Sequence, residues 1–209
     1  MTQSLDRLLH ELHSVNADKK LEGRDVWYAK SYRAFRAAGE PKNLDDFIRL
    51  IAFAYSWLPT IPVANPTDGG FRRIERAVAK VRRLTRAASR GATDVQAIRE
   101  ARRELIEAVQ KSLGLHSGHT IVAVSKVLHF WNRALSPLFD INVVRAWNTL
   151  SPEGRQLLPR GLGSSPRRNN FLDYWDLADR LIQRSRNLGR PLDYRSLDKL
   201  LFRRARGER

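Results

Sequence analysis

"FRRIERAVAKVRRLTRAASRG", residues 71–91, decides the fold class of this chain. Phe71, Ile74, Val78 and Val81 recur at steps of three and four, which puts them on one face of an α-helix. A strand would need strict alternation, and the stretch has none. Around the apolar stripe stand Arg72, Arg73, Arg76, Lys80, Arg82, Arg83, Arg86 and Arg90, with only Glu75 to offset them. The expectation is a helix with one face for a core and a strongly basic remainder. That remainder is either a solvated face or a surface that tracks phosphates.

The same periodicity runs outward in both directions. "SLDRLLHELHSV" repeats it from Ser4, placed as an N-cap, and "RDVWYAKSYRAFRAAG" ends at Gly39, placed as a C-cap. "NLDDFIRLIAFAYSWLP" opens at Asn43 and stops before Pro59; it is apolar nearly all round, so a central buried helix is expected. "TDVQAIREARRELIEAVQKSLG" starts with Thr93 and Gln96 at capping-box spacing. "HTIVAVSKVLHFW", "INVVRAWNTL", "NNFLDYWDLADRLIQRSRN" and "DYRSLDKLLFRRARG" continue the pattern without a hairpin signal or an internal repeat. The sequence therefore predicts an all-α helical bundle of about nine helices in a single unit, 1–209. Within it two lobes are expected, 1–66 plus 150–209 and 67–149, with a cleft between them.

Composition narrows the function. The 209 residues hold 38 Lys and Arg against 22 Asp and Glu, a formal net charge of +16. A charge that large opposes compaction by self-repulsion, so it points to a polyanionic partner. Arginine supplies most of the excess, and its planar fork suits phosphate better than a point charge does. Nucleic acid is the first candidate; an acidic membrane surface, an acidic protein or a ribosome-like assembly follows. The absence of cysteine excludes disulfides, thiol nucleophiles and cysteine-ligated iron–sulfur or zinc sites. "MTQSLDRLLHELHSV" lacks a basic start followed by an apolar core, so no secretory signal is expected. The longest apolar run, "FIRLIAFAYSWL", contains Arg49 and is too short to span a bilayer. A cytoplasmic, nucleoid-associated monomer with no membrane contact is the expectation.

One constellation carries chemistry. "LGLHSGHTIVAVSKVLHFWNRALSPLFDINVVRAW", residues 113–147, joins a turn-rich link, a helix and a proline-led loop. Gly118 allows close backbone approach where the helix begins, and free N–H groups at a helix start can hold a phosphate. Asp140 sits at the mouth of the next helix. As an N-cap it needs no further role. An ionised carboxylate there can also stabilise positive charge on a substrate.

These residues resemble the helix-hairpin-helix base-excision DNA glycosylases. Members of that superfamily carry an apolar residue and glycines in a hairpin, one helix, then a proline-led segment ending in aspartate. "SPLFDINVVRAW" is similar to the aspartate segment of adenine-excising members at Pro137, Asp140, Asn142, Val143 and Arg145. Gly118 falls at the matching distance upstream. The resemblance implies double-stranded DNA as partner, with Gly118, His119, Thr120 and Arg145 contacting it beside Arg72, Arg73, Arg76 and Arg83. It also implies hydrolysis of an N-glycosidic bond with Asp140 beside the sugar, after the base has been flipped into a pocket. Trp27, Tyr28, Phe130 and Trp131 are the expected walls of that pocket, and Trp147 is a further candidate.

The departures shape this expectation. "LHSGHT" keeps one hairpin glycine of the usual two, and His119 and Thr120 stand where lyase members carry a nucleophilic lysine. A monofunctional hydrolase, a divergent lyase and a catalytically silent nucleic-acid-binding module of the same architecture all remain open. Lys126, one heptad after His119, is a displaced nucleophile or a phosphate-binding lysine. His116, His119 and His129 have no carboxylate or cysteine at ligand spacing, so no metal and no cofactor are expected.

Overall fold

The computed structural model describes residues 2–14, 30–33, 35, 39–58, 64–88, 94–114, 121–162 and 167–207. The regular structure among them is helical throughout, and the fold is all-α. The helices are α1 (Thr2–His13), α2 (Leu44–Tyr55), α3 (Asp68–Ala88), α4 (Val95–Ser112), α5 (Ile121–Trp131), α6 (Ile141–Asn148), α7 (Pro152–Gln156), α8 (Arg168–Asn187) and α9 (Tyr194–Ala205). Residues 30–33 add a helical turn. The chain divides into two compact units: residues 31–135 form one, and residues 1–30 with 136–209 form the other.

In the 31–135 unit, α3 lies along α4. Phe71, Ile74, Val78 and Val81, the stripe read from the sequence, are all buried. The α4 helix beside it buries Ile98, Ala101, Leu105 and Val109, whose own spacing is three and four. Burying each large side chain is worth about 1.5–3 kcal/mol, so this stripe is enough to hold α3 against its charge. The helix buried on every side is α5, not α2. From Ala123 to Trp131 every α5 residue is buried, including Ser125, Lys126 and His129. The α2 helix buries only Phe47, Leu50, Ile51, Ala54 and Tyr55, a single stripe, and leaves Ile48 44% exposed.

Several helix starts are fixed by side-chain caps. Asn43 accepts from the Asp46 N–H at 2.9 Å, and Asp46 accepts in return from the Lys42 N–H at 3.2 Å. The start of α4 differs from the Thr93–Gln96 expectation. Asp94 is the cap and accepts from the Gln96 N–H at 2.8 Å; Thr93 lies outside the described residues. Asp beside Thr is a competing cap, and the stronger acceptor takes the position. Ser4 lies inside α1 rather than before it. Gly39 has φ +78, a left-handed conformation open to glycine; the helix end expected before it, at residues 36–38, lies outside the described residues.

In the other unit, α8 is the spine, burying Phe171, Leu172, Tyr174, Trp175, Leu177, Ala178 and Leu181. Phe139 stacks on Phe171 and Tyr174 at 5.6 and 5.3 Å between ring centres. Trp147 of α6 meets Tyr174 edge-on at 6.0 Å. The α1 helix adds Leu8, Leu9 and Leu12. Arg184 donates to both carboxylate oxygens of Asp6, at 2.6 and 2.8 Å. Glu11 accepts from the Ser151 N–H at 2.6 Å and from Arg204 at 3.0 Å, joining α1 to α9.

Candidate functional site

The α3 arginines divide into engaged and unengaged groups. Lys80 donates to both oxygens of Glu104 on α4, at 2.8 and 2.6 Å. Arg82 forms a two-pronged pair with Glu40, at 2.9 and 2.5 Å. Arg72, Arg73, Arg76 and Arg83 are exposed and make no ion pair with another described residue. At about 100° per residue, Arg72, Arg76 and Arg83 fall within one narrow stripe opposite Ile74 and Val81. From Arg72 to Arg83 the stripe covers eleven steps, about 16 Å of helix rise at about 1.5 Å each.

Beside this stripe a groove of about 630 Å³ runs past Val78, Arg82, Arg83 and Arg86 to Glu40 and Trp131. Glu40 and Trp131 also border a separate cavity of about 190 Å³. Its other walls include Tyr32, Phe35, His129, Phe130, Asn132 and Arg133. The rings interlock: Tyr32 and Phe130 are 5.7 Å apart, and Phe35 meets Phe130 edge-on at 6.2 Å. Phe35 stacks on Phe53 of α2 at 4.2 Å. The Tyr32 hydroxyl and His129 Nε2 share a hydrogen bond of 3.1 Å.

Glu40 binds this neighbourhood together. It accepts from Arg82 twice and from the Asn132 amide. Burial pushes its carboxyl up, but the hydrogen bonds from Arg82 and Asn132 and the charge of Arg82 outweigh this and hold it below the usual glutamate range. A depressed folded pKa means that Glu40 stabilises the fold above the unfolded value of about 4.3 and loses that contribution as pH falls through the folded value. Acidification should therefore lower the urea midpoint less in Glu40→Gln than in the wild type, compared between about pH 7 and about pH 3. Equal losses in the two proteins would mean that the pair is not formed in solution.

The sequence-derived residues fall on both units. Phe130 and Trp131 lie on α5 and border the 190 Å³ cavity. Lys126, also on α5, is 6% exposed, with its ammonium 5.6 Å from the centre of the Trp57 ring. Asp140 and Arg145 belong to the other unit, on the α6 segment. Arg145 is exposed. Asp140 is half-buried and caps α6; its Oδ1 accepts from the N–H groups of Asn142 at 2.8 Å and Val143 at 3.3 Å. Gly118, His119, Thr120, Trp27 and Tyr28 lie outside the described residues.

Near Asp140 sits an unsatisfied polar pair. The Tyr174 hydroxyl and the Trp147 indole N–H are buried with no hydrogen-bond partner among the described residues. Burial, then the charges of Asp198 and Asp140, push the Tyr174 hydroxyl well above its ordinary value. Among the described residues no cluster of histidines and carboxylates could hold a metal.

Sequence reasoning missed Tyr32, Glu40, Asn132 and Tyr174. Glu40 stands in "AAGEPKN", outside any periodic run, and its partners Arg82 and Asn132 are 42 and 92 residues away. Glu40 flanked by a helix-ending glycine and a proline was the available signal, and it carries no partner information. No helix among the described residues is long and apolar enough to cross a membrane. No protein-family model matches the chain, and neither a curated protein nor a solved structure matches it.

Proposed function

We propose that this protein binds nucleic acid, duplex DNA first, through the unengaged arginine face of α3. The observation that carries the reading is the contrast within one helix. Lys80 and Arg82 are neutralised by Glu104 and Glu40, whereas Arg72, Arg76 and Arg83 point to solvent with no ion pair to a described residue. Exposed arginines at that spacing are costly to keep in a chain of charge +16 unless a polyanion meets them. Guanidinium groups displace condensed counterions from phosphates, so the test is a titration of DNA affinity against salt. A steep negative slope is expected, and an affinity independent of salt would end the reading.

Hydrolytic excision of a base is a second reading, favoured by one observation. The half-buried Asp140 carboxylate lies near the unsatisfied Tyr174 hydroxyl, and the Trp147 N–H is also unsatisfied. Buried donors without partners are what an ordered water satisfies. In this reading Asp140 takes a proton from a water whose oxygen attacks the sugar C1′. The base departs with the electron pair of the N-glycosidic bond. The negative charge of Asp140 stabilises the positive charge that builds on the sugar. The test is a panel of duplexes, each with one modified base, followed by alkali to reveal abasic sites. Intact strands across the panel would leave binding as the function.

A further inference from the structure

We propose that the 190 Å³ cavity between Tyr32, Phe35, Phe130 and Asn132 is a site for one unpaired nucleobase, with its phosphate directed toward Arg83 and Arg133. The site lies wholly within the 31–135 unit and contains no part of the Asp140 helix. Its strand-bound form rests on the nucleic-acid reading above.

Size limits the occupant. At about 30 Å³ per water, the cavity displaces roughly six waters, well under the about 300 Å³ at which pockets for drug-sized ligands begin. One planar heterocycle fits that scale. The walls suit a flat ring as well: Tyr32 and Phe35 are half-buried and so keep part of their rings toward solvent, while Phe130, 7% exposed, closes the interior. Aromatic faces stack bases of any sequence, because each base has a π-face. On the same wall the Tyr32 hydroxyl is held by His129 Nε2, which fixes the ring of Tyr32.

Charge decides between a nucleotide and a neutral ring. A carboxylate on the wall would repel an anion, but Glu40 already receives three donated hydrogen bonds, two from Arg82 and one from Asn132. That occupies most of the roughly four lone-pair sites a carboxylate offers. Glu40 is therefore a positioning residue: it fixes Asn132 and is itself neutralised by Arg82. Arg133 is exposed at the cavity, and the groove holding Arg83 and Arg86 shares Glu40 and Trp131 with it. A base in the cavity would have cations within reach of the phosphate attached to it.

The experiment uses the full chain and a single-stranded oligothymidine carrying one 2-aminopurine, whose emission falls when it stacks. Saturating protein should quench the emission several-fold. Tyr32→Leu and Phe35→Leu should each remove most of the quench and weaken binding about 5- to 150-fold, the range for loss of one stacked base. Arg76→Ala should weaken binding yet leave the quench at saturation unchanged, which separates the base site from the arginine face. A strand that binds the wild type without any quench overturns the pocket and leaves the arginine reading standing. Calorimetric titration with free nucleoside monophosphates gives the second arm. Binding of these that Tyr32→Leu abolishes, without binding of strands, assigns the site to free nucleotides and removes the arginine reading instead. Neither quench nor mononucleotide binding in the wild type rejects the base site outright, whatever the variants do.

Discussion

Replacing Arg72, Arg76 and Arg83 together by alanine should flatten the salt dependence of DNA binding by about 2.7 in the slope of log affinity against log salt, or by about 2.1 on a single strand. Each phosphate neutralised contributes about 0.9 to that slope on duplex DNA and about 0.7 on a single strand. The side chains are exposed and opposite the buried stripe of Phe71, Ile74, Val78 and Val81, so the fold has no contact to lose. Surface changes of this kind stay within about 0.5 kcal/mol, and alanine raises helix propensity slightly. Binding should therefore fall while the thermal midpoint holds or rises. Arg82→Ala is the contrasting variant. It strips Glu40 of its partner beside the groove, so it should destabilise the fold as well as weaken binding. A slope unchanged in the triple variant would place the DNA elsewhere on the protein.

How legible the molecule was in its sequence depended on how local each cause is. The stripe of α3 and the caps Asn43 and Asp140 were readable because a helix face and an N-cap are settled within a few residues. The burial of the polar residues of α5 was not. In α2, apolar residues such as Ile48 are left facing solvent, whereas in α5 burial reaches Ser125, Lys126 and His129. Composition already favours α5, since α2 carries Asp45, Asp46 and Arg49 where α5 carries only Lys126 and His129; that these two are buried is not local, because it depends on partners from distant segments: Tyr32 reaches His129 across 97 residues, and Trp57 lies under Lys126. The same holds for the site. The arginines were visible as a run, but the Glu40 pair that removes Arg82 from the basic face links residues 42 apart. Charge counting alone treats Arg82 and Arg83 as equals, and the fold makes one structural and leaves the other to solvent.

Asp140 is where a structural and a catalytic role would coincide, and two substitutions separate them. Its Oδ1 satisfies two of the otherwise unpaired N–H groups at the start of α6. Asparagine caps about as well as aspartate, so Asp140→Asn should hardly move the thermal midpoint, whereas Asp140→Ala should cost about 1 kcal/mol. Neither figure bears on chemistry. The charge does: asparagine presents a neutral carbonyl where the excision reading needs an anion to face the sugar cation and take the proton of water. On a duplex that the wild type demonstrably cleaves, Asp140→Asn should release the base about 10²–10³-fold more slowly, the usual effect of removing one preorganised stabilising group. DNA affinity should persist, since one carboxylate fewer does not reduce attraction to phosphate. Borohydride should trap no protein–DNA adduct in either protein, because a hydrolase forms no Schiff base. An adduct that disappears in Lys126→Ala would move the chemistry from Asp140 to the 31–135 unit. Base release at the wild-type rate in Asp140→Asn, together with the loss of stability in Asp140→Ala, would show that this carboxylate does nothing but start a helix.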